Sequence, residues 1–321
     1  MSSSSVQKKI GIVGSGLIGR AWAMLFAAAG YTVQMYDILE SQLVTAQQEL
    51  DKELHSLEKK GALRGQLKAS EQLALIGFTQ QLEELVRDAV HIQECVPEQL
   101  QLKKSLYSQL DGLLGGDTVV ASSTSTFMPS LYSEGLQRRQ QFQMLVAHPL
   151  NPPYFIPLVE IVPAPWTTAE ALERTRLLML SLGQRPVTLK REIEGFATNR
   201  IQYAILNEVW RLVESGILSV ADVDRVLSQG LGLRYALLGS LETAHLNAPG
   251  GVADYFKRFG AEISAVSATY GPTPDTQAEG AALADIARQC EELVPLEQLD
   301  QRRATRDAFL IHLARLKKQF E

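Results

Sequence analysis

Gly14-Ser15-Gly16-Leu17-Ile18-Gly19 places three glycines at GxGxxG spacing between an apolar run, Lys9–Val13, and an amphipathic one, Leu17–Ala29. In that setting each glycine has a job. The first permits a tight strand-to-helix turn, the second lets a pyrophosphate approach the backbone, and the third lets helix and strand pack closely while the helix N-terminus faces the phosphates. Gly14, Gly16, Leu17, Ile18 and Gly19 are therefore candidate cofactor-binding residues, with a turn kept only for packing as the other reading. Asp37 closes the next apolar run, Thr32–Tyr36, about twenty residues past the last glycine. A carboxylate there accepts hydrogen bonds from the ribose hydroxyls of NAD and repels the extra phosphate of NADP, and no arginine follows it immediately. A helix-capping aspartate is the alternative. The expected cofactor is NAD.

Short apolar runs continue at Leu73–Phe78, Ala89–Glu94, Val119–Ser122, Met144–His148 and Leu158–Val162, with helical runs such as Glu40–Lys60 and Glu98–Leu114 between them. This alternation predicts an α/β fold, a Rossmann-type doubly wound parallel sheet covered by helices on both faces. Thr167 with Glu170 reads as a capping box for a helix to about Leu182, and Pro186–Leu189 as a last strand. After Glu194-Gly195 the pattern is helical: Phe196, Ile201, Ile205, Val209 and Leu212 recur at helical spacing, and Ser219 with Asp222 starts another helix. Turns follow at Asn247–Gly251 and Gly271–Pro274, and Gln301–Phe320 is a charged amphipathic helix. Two domains are expected, residues 1–193 and 194–321.

The 321 residues are 45% hydrophobic and 21% charged, with net charge -5. No basic run stands out, which argues against a nucleic-acid partner. Cys95 and Cys290 form no CxxC and no metal spacing, so neither a disulfide framework nor a metal site is expected. Met1–Lys9 is polar and serine-rich, unlike a signal or transit peptide, and the apolar stretch Ala21–Ala29 is too short to span a bilayer. A cytoplasmic location and a small-molecule substrate are expected.

His148 ends an apolar run and precedes Pro149-Leu150-Asn151-Pro152-Pro153. A histidine at a strand's C-terminal end opens into the crevice where α/β sheets bind ligands, and its basicity suits proton removal near neutral pH. Glu160, twelve residues on, interrupts Leu158-Val159-Glu160-Ile161-Val162. A carboxylate in such a strand needs a partner, and His148 is the economical one, so the two form a candidate base and orienting pair. Ser122-Ser123-Thr124-Ser125-Thr126 follows another strand, either as crevice hydroxyls or as a hydroxyl-rich turn. Asn199, in Gly195-Phe196-Ala197-Thr198-Asn199-Arg200, is a functional amide or a helix cap.

Gly14–Gly19, Glu94-Cys95-Val96-Pro97-Glu98, Ser123-Thr124-Ser125, His148-Pro149-Leu150-Asn151-Pro152 and Gly195–Arg200 occur in an order that resembles the 3-hydroxyacyl-CoA dehydrogenase family. The resemblance covers nearly the whole chain. It implies Ser125, His148, Glu160 and Asn199 as the active site, Glu98 and Lys103 as further cofactor-binding residues, and a helical domain that dimerises.

Several segments depart from the fatty-acid enzymes of that family: Ser122–Thr126, His148–Pro152, Gly230-Leu231-Gly232-Leu233-Arg234-Tyr235 and Glu242-Thr243-Ala244-His245-Leu246-Asn247. These resemble the lambda-crystallin branch, which has L-gulonate 3-dehydrogenase activity. The resemblance implies oxidation of L-gulonate at C3, with Ser125 and Asn199 on the reacting oxygen. Arg234, read as part of a turn in a domain that closes over the crevice, is a candidate partner for the substrate carboxylate, or else a surface arginine or an intersubunit ion pair. A short-chain 3-hydroxyacyl-CoA dehydrogenase and an NAD-binding structural protein are the competing functions.

Overall fold

The computed structural model describes residues 8–115, 117–136, 143–274, 280–317 and 319–320. The serine-rich Ser2–Ser5 stretch lies outside them. The chain divides into two compact units, Met1–Arg200 and Ile201–Glu321.

The first unit is built on eight strands: β1 (Lys9–Val13), β2 (Thr32–Tyr36), β3 (Ile76–Thr79), β4 (Ala89–Glu94), β5 (Val119–Ser122), β6 (Met144–Pro149), β7 (Leu158–Pro163) and β8 (Arg185–Thr188). They form one sheet in the order β3-β2-β1-β4-β5-β6-β7-β8. The strands from β3 to β6 run parallel, whereas β7 pairs antiparallel with β6 and β8 parallel with β7. The fully parallel sheet expected from the alternation is thus corrected at one edge. The cause is the connection: only residues 150–157 join β6 to β7, too short for the crossover that a parallel pair requires.

Every residue of β5 and β6 is buried, as expected of strands covered on both faces. One face packs on helices Leu17–Ala28 and Ala169–Ser181 through Trp22, Phe26, Met35, Leu145 and Met179. The other packs on helix Leu100–Leu113 through Leu106, Tyr107, Leu110 and Val120. Lys9–Val13, Thr32–Tyr36, Ala89–Glu94 and Val119–Ser122 form as strands with the bounds read from the sequence.

Two local readings are corrected. Leu73 belongs to a short helix, Ala69–Leu73, whose start is held by the Glu71 carboxylate accepting from the Lys68 N–H at 2.8 Å, and the strand begins only at Ile76. The cap of helix Ala169–Ser181 is Thr168, which accepts from the Ala171 N–H. Thr167 accepts instead from the Ala164 N–H and donates to the Met144 carbonyl.

The second unit is helical: Val220–Arg225, Ser240–Leu246, Gly251–Ser267, Ala281–Leu293 and Leu299–Lys317 are α-helices, and most of the long helix Thr198–Glu214 also belongs to it. Ser219 caps the first through the Asp222 N–H, as its spacing suggested. A small cluster of Val213, Val220 and Val223 forms its buried core. Gly230–Tyr235, expected as a turn, is helical: a π-helical stretch, Val226–Leu231, leads into the α-turn Gly232–Tyr235. Among the described residues no helix is long and apolar enough to cross a membrane, and no cluster of His, Cys, Asp or Glu could hold a metal ion.

Candidate active site

The parallel strands all point their C-terminal ends to one edge of the sheet. Gly14 follows β1, Asp37 follows β2, Cys95–Glu98 follow β4, Ser123–Thr126 follow β5, and His148 lies at the end of β6. The strand order reverses between β1 and β4, and ligands of such sheets sit in the crevice outside that reversal.

The glycines of the first turn divide by what surrounds them. Gly14 has φ +98°, a conformation that favours glycine, and a Cβ there would lie 2.7 Å from the Cys95 carbonyl oxygen. A Cβ on Gly19 would lie 2.0 Å from the Gly14 oxygen. Those two serve the packing of strand and helix. Gly16 has φ -67°, and a Cβ there would meet no protein atom within 4 Å. The fold itself does not need glycine at position 16, so what its absent side chain keeps open is space outside the protein. The helix beginning at Leu17 has no side-chain cap and no acidic residue in its first turn, leaving N–H groups and the positive end of its dipole for an anion. A cradle of this kind fits the pyrophosphate of a dinucleotide. Asp37 is fastened to it: Oδ2 accepts from the Ser15 N–H at 3.0 Å and hydroxyl at 2.7 Å, and Oδ1 from the Leu39 N–H at 3.2 Å. The carboxylate is thereby held at the end of β2 beside the glycine turn.

His148 and Glu160 are register partners across β6 and β7. The His148 Nδ1 lies 2.9 Å from Glu160 Oε2, with both side chains buried. The second Glu160 oxygen, Oε1, accepts from the Ala197 N–H at 2.8 Å and the Thr198 N–H at 2.9 Å. Burial opposes ionisation of Glu160, but hydrogen bonds from His148, Thr198 and Ala197 outweigh it and hold the carboxyl below its usual range. The two N–H groups are aimed by a turn in which Gly195 has φ +70° and Phe196 φ +51°. A left-handed phenylalanine is uncommon and costs energy. Its ring is fully buried, with its centroid 5.7 Å from that of His148. An ionised Glu160 favours the tautomer with the proton on Nδ1, an arrangement that can take a proton from a hydroxyl on the other ring nitrogen and stabilise the imidazolium that results.

Asn199 is buried and donates from Nδ2 to the Ser125 carbonyl at 2.7 Å, which joins the loop after β5 to the turn that holds Glu160. That loop is gripped from its other side by one Glu98 oxygen. It accepts from the Thr124 hydroxyl at 2.6 Å, the Ser125 N–H at 3.0 Å and hydroxyl at 3.3 Å, and the Thr126 hydroxyl at 3.2 Å. Burial pushes the Glu98 carboxyl up, but these bonds and the charge of Lys103 bring it below the usual range. Lys103 itself is buried, 2.9 and 3.0 Å from the two oxygens of buried Glu94 and 3.4 Å from Glu98. Glu94 also accepts from the Ser122 hydroxyl and the Val96 N–H. Of the residues expected in the site, the structure brings His148, Glu160, Asn199, Ser125 and Glu98 into this connected set, with Lys103 behind it. Arg234 lies in the second unit, exposed.

Sequence reasoning missed the backbone donors Ala197 and Thr198, the left-handed Phe196, and the anchoring of Asp37 by Ser15. Only the glycine at 195 hinted at the turn, since N–H groups have no signature in side-chain chemistry. It also missed a buried polar chain beside the site. Gln93 Nε2 donates to the Ser123 hydroxyl at 2.7 Å and the Ala147 carbonyl at 3.2 Å, and Gln93 Oε1 lies 3.2 Å from His91 Nε2.

Residues 9–193 match the family model described as 3-hydroxyacyl-CoA dehydrogenase, NAD binding domain, and residues 195–274 match the C-terminal domain of the same family. The chain belongs to the 3-hydroxyacyl-CoA dehydrogenase family. It is an NAD-dependent oxidoreductase that acts on a CH–OH group. It is 48% identical over 318 residues to a lambda-crystallin homolog from Bos taurus, covering 98% of both chains. It is 31% identical to an L-carnitine dehydrogenase from Oceanobacillus iheyensis, covering 98% of this chain and 99% of that one. Among solved structures, a 5-formyl-3-hydroxy-2-methylpyridine 4-carboxylic acid 5-dehydrogenase, an NAD+-dependent dismutase, superposes with TM-score 0.79 at 25% identity over 98% of each chain.

Proposed function

We propose that this protein oxidises the C3 hydroxyl of L-gulonate to 3-dehydro-L-gulonate, with His148 as general base. The observation that carries the chemistry is the His148–Glu160 pair, in which one carboxylate oxygen takes the imidazole and the other two backbone N–H groups. His148 removes the hydroxyl proton as the C3 hydrogen leaves with its electron pair, and Glu160 balances the charge that His148 gains. NAD, when bound, accepts that hydride. Ser125 and Asn199 hydrogen-bond the oxygen that becomes the ketone. Gly14, Gly16, Leu17, Ile18 and Gly19 cradle the cofactor's pyrophosphate, Asp37 its ribose, and Glu98, backed by Lys103, borders the same crevice.

The substrate class follows from charge. L-gulonate and L-carnitine are both free carboxylates with a hydroxyl on the third carbon, and the dismutase's substrate is named as a carboxylic acid. A thioester has no such charge. Arg234 supplies the planar fork that binds a carboxylate with two hydrogen bonds. Likeness to lambda-crystallin homologs over nearly the full length favours the sugar acid within this class.

The helical unit supports a homodimer. Its buried core is small, while Ile201, Leu233, Leu237 and Leu241 are 63–71% exposed in the single chain. Sedimentation of the purified protein tests that arrangement, and a residues 1–193 and 194–321 division is tested by limited proteolysis. The function is tested by NADH formation with L-gulonate, L-carnitine and 3-hydroxybutyryl-CoA at equal concentration. Turnover of L-gulonate is expected to be fastest, and turnover confined to the thioester overturns the proposal.

A further inference from the structure

Alternation along β4 puts His91, Gln93 and Cys95 on one face of the sheet, with Ile92 and Glu94 on the other. Glutamine is mostly a surface residue, yet Gln93 is fully buried. A buried amide is costly unless its donors and its acceptor are met. Nε2 donates to the Ser123 hydroxyl oxygen at 2.7 Å and to the Ala147 carbonyl at 3.2 Å, and Oε1 lies 3.2 Å from His91 Nε2. Burial keeps His91 neutral, which leaves one ring proton, and on Nε2 that proton serves Oε1. Turned end for end, the amide would set Oε1 against the Ala147 carbonyl, acceptor to acceptor.

The strands β4 and β6 are not neighbours, because β5 lies between them. Gln93 reaches Ala147 because β5 stops. The Val120 N–H donates to the Gln143 carbonyl, and carbonyls at alternate residues of a strand face the same side, so a continued ladder would take the Thr124 N–H to the Ala147 carbonyl. Thr124 turns away instead, its N–H donating to the Ser122 hydroxyl at 3.1 Å. The Gln93 amide fills the rung that β5 vacates, and with its second proton it holds Ser123, where the chain leaves the sheet. The Ser123 oxygen also accepts from Trp22 Nε1 at 3.1 Å, so both its lone pairs are filled and its proton is left for Cys95 Sγ at 3.3 Å. One amide thus ties the loop that carries Ser125 to the strand residue just before His148. We propose that Gln93 is a positioning residue: by replacing the missing β5–β6 rung it fixes the spacing between His148 and the Ser125 loop. This role rests on the reading of His148 as the base and holds for whichever hydroxy acid is the substrate.

Steady-state assays use whichever of L-gulonate, L-carnitine and 3-hydroxybutyryl-CoA the parent turns over fastest, with NADH affinity taken from fluorescence titration. Gln93→Met keeps the length of the side chain and removes the amide, and Ser123→Ala removes one of the two oxygens that the amide holds. Each is made alone and together with His148→Gln. In Gln93→Met kcat falls about tenfold or more while NADH affinity stays within about twofold, since small displacements of reacting groups cost rate more than cofactor binding. Ser123→Ala loses rate in the same direction. In the His148→Gln background neither substitution lowers kcat further by more than about twofold, because a base that is absent cannot be misplaced. A kcat within about twofold of the parent in folded Gln93→Met and Ser123→Ala, beside a large loss in His148→Gln, overturns the positioning role and leaves His148 as the base. Equal fold-losses with and without His148, or a parallel loss of NADH affinity, show a purely structural amide and overturn it too. If Gln93→Met does not fold, Ser123→Ala decides between these outcomes. Near-parental kcat in His148→Gln brings down the base itself and this inference with it.

Discussion

His148 and Glu160 sit opposite each other on the antiparallel pair β6–β7, and their side chains meet at 2.9 Å between Nδ1 and Oε2. The reversal of chain direction at the sheet edge creates this pairing, since direct cross-strand neighbours lie within reach of each other's side chains. Glu160 uses both oxygens as acceptors, one for the imidazole and one for the N–H groups of Ala197 and Thr198. A glutamine has one acceptor oxygen and one donor amide. Glu160→Gln is therefore expected to lose either the imidazole contact or the backbone cradle, lowering both kcat and stability. The stability loss should be about 1–3 kcal/mol by urea unfolding, the usual cost of unsatisfied buried donors. His148→Gln should lower kcat about 10²–10⁴-fold with NADH affinity retained. Near-normal turnover in both variants removes the pair from the mechanism.

The glycine turn makes a second prediction, because its members face different neighbours. Gly16→Ala meets no protein atom within 4 Å, so its melting temperature should match the parent while NADH affinity falls about tenfold or more, as a methyl enters the anion cradle. Gly19→Ala puts a carbon 2.0 Å from the Gly14 oxygen and should lose about 1–3 kcal/mol of stability, the usual cost of overpacking. Differential scanning calorimetry with NADH titration separates the two. A Gly16→Ala protein with unaltered NADH affinity contradicts the assignment of that space to the cofactor.

These contrasts show what was legible beforehand. Strand identity at β1, β2, β4 and β5 could be read directly, because buried parallel strands are continuous apolar runs and glycine turns punctuate them. The His148–Glu160 pair was legible because a carboxylate inside an apolar strand demands a partner. Strand direction was not, since Leu158–Val162 reads alike whichever way it runs, and only the short 150–157 connection betrays the reversal. Leu73 was misread because its helix is started by a local Glu71 contact, a signal weaker than the apolar run beside it. The pairing of Lys103 with Glu94 was not legible, since the resemblance puts Lys103 at the cofactor, whereas it points inward to Glu94 at the end of the neighbouring strand. The π-turn at Val226–Leu231 was hidden too, because paired glycines at 230 and 232 suggest a loop rather than a wider helix.

Asp37 should govern cofactor choice. Its carboxylate is held beside the glycine turn by Ser15 and Leu39, where a ribose phosphate would meet it at close range. Asp37→Ala is expected to weaken NADH binding and to narrow the preference over NADPH. Loss of hydrogen bonds to a charged group corresponds to about 10–100-fold in affinity. Parallel fluorescence titrations with NADH and NADPH measure both, and an unchanged ratio assigns selectivity to another residue.

The buried His91 should make the protein acid-labile in a predictable window. Burial pushes its imidazole down to about 4, against a hydrogen bond to Gln93 that favours the charged form, and the charge of Arg174 lowers it further. In the unfolded chain the same group titrates near 6.5. Between these values the unfolded state binds a proton that the folded state refuses, so stability rises with pH there and is lost as pH falls from about 6.5 toward 4. Above that window both states are neutral and His91 contributes nothing to the slope. Going from pH 7.5 to 5 should cost about 2 kcal/mol through this group alone. Carboxylates held low in the fold, Glu160 and Glu98 among them, act in the same direction as pH falls, because the unfolded chain takes up their protons first. His91→Gln keeps a polar side chain opposite Gln93 and cannot take up the proton. Urea unfolding at pH 7.5 and pH 5 should therefore show a loss about 2 kcal/mol smaller in His91→Gln than in the parent. Equal losses in the two proteins would mean that His91 accepts its proton in place, and that the chain from His91 through Gln93 to the Ala147 carbonyl tolerates a charge beside His148.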